Sequence, residues 1–204
     1  MKHVIINVGR QFGSGGKSVA EAIGKTLGIP VYDNELITKA AEQSGFSESL
    51  FTKNDEKKSV FNIGSIFGSN RYGNYTKNML NEGELFKIQS DVIRDIAEKG
   101  DAIFVGRASD YVLRDMDCLD VFICAPLEAR KARVSERLSI SPEEAETMIE
   151  KKDKGREEYY NFFTFSHWGV ASNYDLCVDS SILGVDGTAE YIIDFARRAG
   201  KLGE

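Results

Sequence analysis

The chain of 204 residues has only three cysteines, Cys118, Cys124 and Cys177, which cannot all pair within one molecule and show no CxxC spacing. That excludes a disulfide-dense scaffold and a dithiol redox motif. Cys124 and Cys177 lie in apolar strand-like runs, where a thiol is expected to act as a small core hydrophobe. The two histidines, His3 and His167, are far apart, which argues against a zinc site. No apolar run approaches the roughly 18 residues of a membrane span. Met1-Lys2-His3-Val4 runs straight into an apolar segment, without the longer apolar region and small-residue cleavage site of a secretory leader. The expectation is a cytoplasmic protein with no membrane partner. Positive charge is also scarce. Lys plus Arg number 26 against 32 Asp plus Glu, a net charge of −6, so nonspecific nucleic-acid binding is disfavoured.

What remains is an ordinary globular composition, 42% hydrophobic and 28% charged, at a length that suits one domain over residues 1–204. His3 to Val8 (HVIINV) is a β-branched run of the buried-strand type. A glycine cluster follows, and then Val19, Ala20, Ile23 and Leu27 fall at helical spacing before Gly28 stops the pattern. Ile29 to Tyr32 predicts a second strand, with Asp33 at its end, and Asp33 to Ser44 a helix. Residues 58–78, broken by Gly64, Gly68 and Gly73, predict a mobile connection, and Asn81 to Lys99 a helix. Ala102 to Val105 is a third strand, followed by Gly106-Arg107, and Leu119 to Cys124 a fourth. Pro126 suits the start of a helix over Leu127 to Leu138, and Ser141-Pro142-Glu143-Glu144 has capping-box form. Tyr174 to Val178 predicts the fifth strand and Thr188 to Ala199 a last amphipathic helix. The alternation predicts an α/β fold, a parallel five-stranded sheet flanked by helices on both faces.

Residues 9–18 read Gly-Arg-Gln-Phe-Gly-Ser-Gly-Gly-Lys-Ser between a strand and a helix. The ending Gly16-Lys17-Ser18 fits the phosphate-loop pattern G-x-x-x-x-G-K-[ST], while Gln11 holds the place of its first glycine. Glycines at 13, 15 and 16 permit positive φ and close backbone approach, so amides can point inward at phosphate oxygens. The helix that follows brings its dipole and free amides to the same place. Gly13, Ser14, Gly15, Gly16, Lys17 and Ser18 are therefore the expected cradle for ATP phosphates. In it Lys17 would reach the β- and γ-phosphates and Ser18 would ligate Mg²⁺. The plainer alternative is a glycine-rich turn with an exposed lysine.

Lys17-Ser18, Val31 to Ile37 (VYDNELI), Val105-Gly106-Arg107, Asp153 to Tyr160 (DKGREEYY) and Tyr174-Asp175-Leu176 come in that order. The set resembles the cytidylate-kinase-like branch of the nucleoside monophosphate kinases over nearly the whole chain. The resemblance implies a three-layer P-loop NTPase fold with an acceptor-binding insert, about residues 34–100, and an arginine-bearing helical lid, about residues 126–168. It also implies transfer of the ATP γ-phosphoryl to CMP or dCMP with Mg²⁺. Two positions depart from the cytidylate kinases themselves. Val105 stands where they carry an aspartate, and Ala108-Ser109-Asp110 replaces their usual acidic continuation. Both place the chain with the divergent, kinase-like group.

Arg107, after a strand and a glycine, should stand at the carboxyl edge of the sheet, and the resemblance assigns it to the acceptor nucleotide. The alternative is a surface ion pair. Asp33 lies on the same edge, where it could meet the acceptor's hydroxyls, order metal-bound water, or simply cap the next helix. Arg130, Arg133 and Arg137 share one helix face, and Arg156 follows on the next helix. Arg156, Arg133 and Arg130 are the expected lid arginines for the moving phosphoryl group, against a plain solvated-helix role. The aromatic run Tyr159 to Trp168 reads as packing against the core or a partner more than as base stacking, and Phe61, Ile63, Ile66 and Phe67 as an interaction surface or part of the insert. Two further functions stay open: a kinase for another small acceptor, and a nucleotide-binding regulator without transfer chemistry. A homo-oligomer is left open as well.

Overall fold

The computed structural model describes residues 3–43 and 75–202. Most of the connection at 58–78, with Phe61, Ile63, Ile66 and Phe67, lies outside the described residues. The elements run β1 (Ile5–Arg10), α1 (Gly16–Leu27), β2 (Val31–Tyr32), α2 (Asn34–Gln43), α3 (Tyr75–Lys99) and β3 (Ala102–Val105). Then come α4 (Ser109–Val112), β4 (Leu119–Cys124), α5 (Leu127–Leu138), α6 (Pro142–Thr164), β5 (Leu176–Asp179) and α7 (Ser180–Arg198). The five strands form one sheet in the order β2-β3-β1-β4-β5, parallel throughout.

Strand alternation sorts the apolar side chains into two layers. Ile6 and Val8 of β1, with Ile103, Val105, Val121 and Ile123, pack against Val19 and Ile23 of α1 and Ile192 of α7. Ile5, Ala102 and Phe104 face the other way, onto Ile37 of α2, Ile93 of α3 and Leu113. Each such fully buried aliphatic contributes roughly 1.5–3 kcal/mol. The helix after β1 thus lies on one face and those around β3 on the other, which opens a crevice at the carboxyl edge between these neighbouring strands.

A separate apolar cluster joins α5 to α6. Val134, Ala145 and Ile149 pack together with Phe12 of the glycine loop tucked against them. The capping box at the start of α6 is formed: Glu144 N–H donates to Ser141 Oγ at 3.1 Å, and Ser141 N–H to Glu144 Oε2 at 2.9 Å.

Several boundaries differ from the sequence expectation. Helix α3 begins at Tyr75 instead of Asn81, and α7 at Ser180 instead of Thr188. The first turn of α7 exposes Ile182 and Leu183, so it has no amphipathic signature, and Gly184 breaks the helix at φ 69°, ψ −172°. Asp179 caps that turn by accepting from Ser181 N–H at 2.8 Å. The one-turn helix α4 was too short to show a period. Cys177 is exposed, not a core residue, because β5 is an edge strand; Cys118 is buried and Cys124 half-buried.

Candidate active site

In the glycine loop the amides of Gln11, Phe12 and Ser14 are taken by the Ile123 carbonyl, Asp153 and the Gln11 carbonyl, while those at the start of α1 have no side-chain cap. Gly13 and Gly15 take φ of 81° and 78°, values that cost an L-residue energy. A Cβ on Gly13 would stand 2.9 Å from Val134 Cγ2 and 3.0 Å from the Arg130 carbonyl, so the loop lies directly on α5. Gly15 is the N-cap of α1 and offers no side-chain bond. The first-turn amides of Gly16, Lys17 and Ser18 are thus left without a side-chain cap, at the positive end of the helix dipole. Buried Ser14 turns its hydroxyl back to the Gln11 carbonyl at 2.9 Å, and Gln11 Oε1 accepts from Ala125 N–H at 3.2 Å. Gln11 therefore ties the loop to the end of β4, in the place where the common pattern has a glycine.

The loop's carbonyls, in contrast, are held from outside. Arg156 donates to the Arg10 carbonyl at 3.0 Å, Arg130 to that of Phe12 at 3.4 Å, and Arg133 to that of Gly13 at 3.3 Å. The hydroxyl of Ser180, at the start of α7, donates to the Ser14 carbonyl. These bonds satisfy the loop's carbonyls and hold its backbone against α5, α6 and α7. Arg130 is buried and committed, with a 2.6 Å ion pair to Asp153. Asp153 also accepts from Phe12 N–H at 2.7 Å. Arg133 bonds Ser180 Oγ at 3.2 Å, and its guanidinium lies 3.4 Å from where a Cβ on Gly15 would stand, beside the cradle.

Lys17 and Asp33 meet at 2.6 Å. Asp33 also accepts from the N–H groups of Glu35 and Leu36, both at 3.0 Å, so its helix-capping role is realised at the same time. Burial works against its charge, but the Lys17 hydrogen bond and those amides outweigh it and hold the carboxyl below its ordinary value. The same hydrogen bond raises Lys17. Ser18 is exposed on the first turn of α1, next to Lys17.

Arg107 stands past the end of β3 in a left-handed run, Gly106, Arg107 and Ala108, with φ of 80°, 61° and 51°. Two consecutive non-glycine residues in that region are strained, a condition that collects at functional sites. Its guanidinium lies 5.0 Å from the Tyr159 ring centroid. Tyr159 belongs to a packed group: Phe163 is 4.9 Å from it and stacks on Phe86 of α3 at 4.2 Å. Trp168 meets Phe122 edge-on at 5.4 Å. Most of the aromatic run is therefore packing, with Phe162 and Phe165 left exposed.

Sequence reasoning missed three residues of this constellation: Arg10, Asp153 and Ser180. Arg10 ends β1 and lies across Gly106; Asp153 pins the loop to α6; Ser180 links the loop to α7. An arginine between a buried strand and a glycine loop was the available signal for the first. The order of the DKGREEYY segment was the signal for the second. Nothing marked the third.

Residues 5–182 match the model of the cytidylate kinase-like family. A protein of Methanopyrus kandleri named cytidylate kinase is 27% identical over 195 residues, covering 91% of this chain and 89% of the relative. A crystal structure of an uncharacterized protein from Eubacterium ventriosum is 27% identical with a TM-score of 0.70, covering 94% of this chain and 97% of the other. Shikimate kinase from Bacteroides thetaiotaomicron, 12% identical with a TM-score of 0.54 and coverage of 95% and 98%, shares the fold. Matched over most of its length and carrying this phosphate loop on this sheet, the chain belongs to the cytidylate kinase-like family and is a P-loop nucleotide kinase.

Proposed function

We propose that the chain transfers the γ-phosphoryl group of ATP, with Mg²⁺, to a nucleoside monophosphate, CMP or dCMP foremost. The observation that carries this reading is the cradle: uncapped amides at the start of α1, left-handed Gly13 and Gly15, and Lys17 at the mouth. The curated relative named cytidylate kinase supports the acceptor class.

Lys17 is exposed, and its pair with Asp33 is worth about 1 kcal/mol or less, so phosphate oxygens can draw the ammonium off it. Asp33 keeps its bonds to Glu35 and Leu36 when Lys17 leaves, so the carboxylate stays in place to accept the acceptor's hydroxyls. Arg107 offers a planar fork to the acceptor's phosphate. Arg133 and Arg156 bring positive charge to the group in flight, while Arg130 positions the loop. Ser18 supplies a hard oxygen at the mouth of the cradle, and that donor fits Mg²⁺, whose other positions phosphate and water would fill. The ion, when bound, offsets phosphate charge. No side chain serves as nucleophile; positioning and electrostatics do the work.

The test is ADP release across a panel of nucleoside monophosphates and small hydroxylated acceptors. ADP formation is expected with CMP or dCMP. Lys17→Ala should lower kcat at least 1,000-fold, on the order of 4 kcal/mol, with little change in thermal stability because the side chain is exposed. Wild-type protein silent on every nucleotide, or full turnover by Lys17→Ala, overturns the reading.

A further inference from the structure

Arg10 has been given no role so far, and its surroundings are those of an anion ligand. It is the last residue of β1, two past Val8, whose partner Val105 ends β3 just before Gly106 and Arg107. Its guanidinium lies across Gly106: a Cβ there would stand 2.0 Å from Arg10 Nη1 and 2.9 Å from Cζ. Any side chain at position 106 would evict it. Arg156, from α6, donates to the carbonyl of Arg10 at 3.0 Å. The Arg10 guanidinium thus lies beside the residue that precedes Arg107, near enough for the charges of Arg156 and Arg107 to act on it.

The carboxylates near them are already engaged. Asp33 is bound to Lys17 and caps α2, and Asp153 is shared between Arg130 at 2.6 Å and Arg156 at 3.6 Å. Among the described residues, no salt bridge includes Arg10 or Arg107. Burial, followed by the like charges of Arg156 and Arg107, pushes Arg10 below the ordinary arginine range. Crowding like charges in a partly desolvated crevice is unfavourable, and a doubly charged oxyanion between them reverses the sign. Position decides which anion. The α1 amides, Lys17 and Arg133 form the donor side. The stem of Arg10 lies on Gly16, where a Cβ would stand 2.5 Å from Arg10 Cβ, and its guanidinium reaches past the cradle to Gly106, the residue before Arg107, on the acceptor side.

We infer that Arg10, together with Arg107, clamps the phosphate monoester of the acceptor nucleotide, at the boundary between the donor cradle and the acceptor crevice. The inference rests on the kinase reading above, since it assigns a residue to that reaction's second substrate. A bidentate fork on each side of a dianion also orients it, which a lone lysine could not do. Arg10→Lys should keep part of the affinity and lose the orientation.

The deciding experiment is steady-state kinetics of wild type, Arg10→Ala and Arg10→Lys with CMP and ATP varied separately. The clamp predicts a CMP KM at least 10-fold higher in Arg10→Ala, an intermediate value in Arg10→Lys, and an ATP KM within 3-fold of wild type. An unchanged CMP KM overturns it, and so does an equal or larger loss on ATP. Thermal melting of the apo proteins adds a readout that a structural role would move the other way. Arg10→Ala should melt no lower than wild type, since like-charge crowding is relieved; a lower melting point with unchanged CMP KM overturns the clamp. If wild type turns over no nucleoside monophosphate, the kinase reading fails separately. Arg10 is then decided by inorganic phosphate, whose stabilising effect on melting should survive Lys17→Ala and disappear in Arg10→Ala. Equal phosphate responses in the two variants, or none in wild type, overturn it.

Discussion

Asp153 shows how much one side chain on α6 can hold. One oxygen accepts from Phe12 N–H at 2.7 Å inside the glycine loop; the other takes the buried Arg130 at 2.6 Å. Both side chains are largely shielded from water, at 16% and 11% exposure, so the pair escapes most solvent screening. Removing one partner of such a pair strands the other charge. Asp153→Asn keeps an acceptor for Phe12 and is expected to cost about 2–4 kcal/mol in urea unfolding. The double variant Asp153→Asn/Arg130→Met should recover part of that loss, because the more buried of the two guanidinium groups that Asp153 pairs is gone, and only Arg156, 3.6 Å from Asp153, is left without it. A double variant weaker than the sum of both singles would show that the pair is not the unit. Lys17 and Asp33 are the opposite case: the same 2.6 Å separation, but with a lysine 58% exposed, so their contact is easily exchanged for a ligand.

At the scale of elements, the glycine loop is shaped as much by what it leans on as by its own residues. Phe12 enters the cluster formed by Val134, Ala145 and Ile149, and Gly13 passes flat over α5. Gly13→Ala combines a φ of 81° with a Cβ 3.0 Å from a backbone carbonyl that cannot swing aside. A loss of about 2–3 kcal/mol is expected in denaturant unfolding, with ATP affinity falling because the amides lose their direction. Gly106→Ala shares the backbone strain, at φ 80°, but contrasts in what its Cβ meets, the end of a flexible arginine. Sequence patterns made the loop legible because strand, glycines and helix each carry a local signal, and the parallel sheet followed from the alternation, though not the strand order, which long-range pairing sets. Helix spans such as Leu127–Leu138 matched for the same reason. The start of α7 did not, because Ser180 to Leu183 is held by a cap and by Ser180's bond to the loop, contacts with no period. Arg10 and Asp153 stayed hidden likewise: in a chain with 28% charged residues, one more charge is silent until the fold shows what it faces.

For the molecule as a whole, the sheet carries a half-buried carboxylate away from the glycine loop. Asp120 lies in β4 opposite Asn7 of β1, which donates to it at 2.8 Å. Asp110, bonded to Tyr160 at 2.6 Å, borders the same cavity of about 200 Å³. Burial pushes the Asp120 carboxyl up to about 6; the Asn7 hydrogen bond and Lys201 oppose this, and the charges of Asp110 and Asp175 add to it. The ordinary value is 3.8, so between about pH 4 and 6 the folded chain holds a proton that the unfolded chain has released. Stability from this group is therefore greatest below pH 4, falls as pH rises toward 6, and is fully forfeited above that, a cost on the order of 2–3 kcal/mol at neutral pH. Asp120→Asn removes the charge while its amide oxygen still accepts from Asn7. The variant is expected to be more stable than wild type by about 1–3 kcal/mol at pH 8 and equal to it at pH 4, read from urea midpoints across that range. A gain that persists undiminished at pH 4 would mean that packing, not ionisation, separates the two proteins. ATP affinity measured at pH 8 should be unchanged in Asp120→Asn, because the phosphate cradle sits at the carboxyl edge, beyond the end of β1, and Asp120 is paired across the middle of that strand.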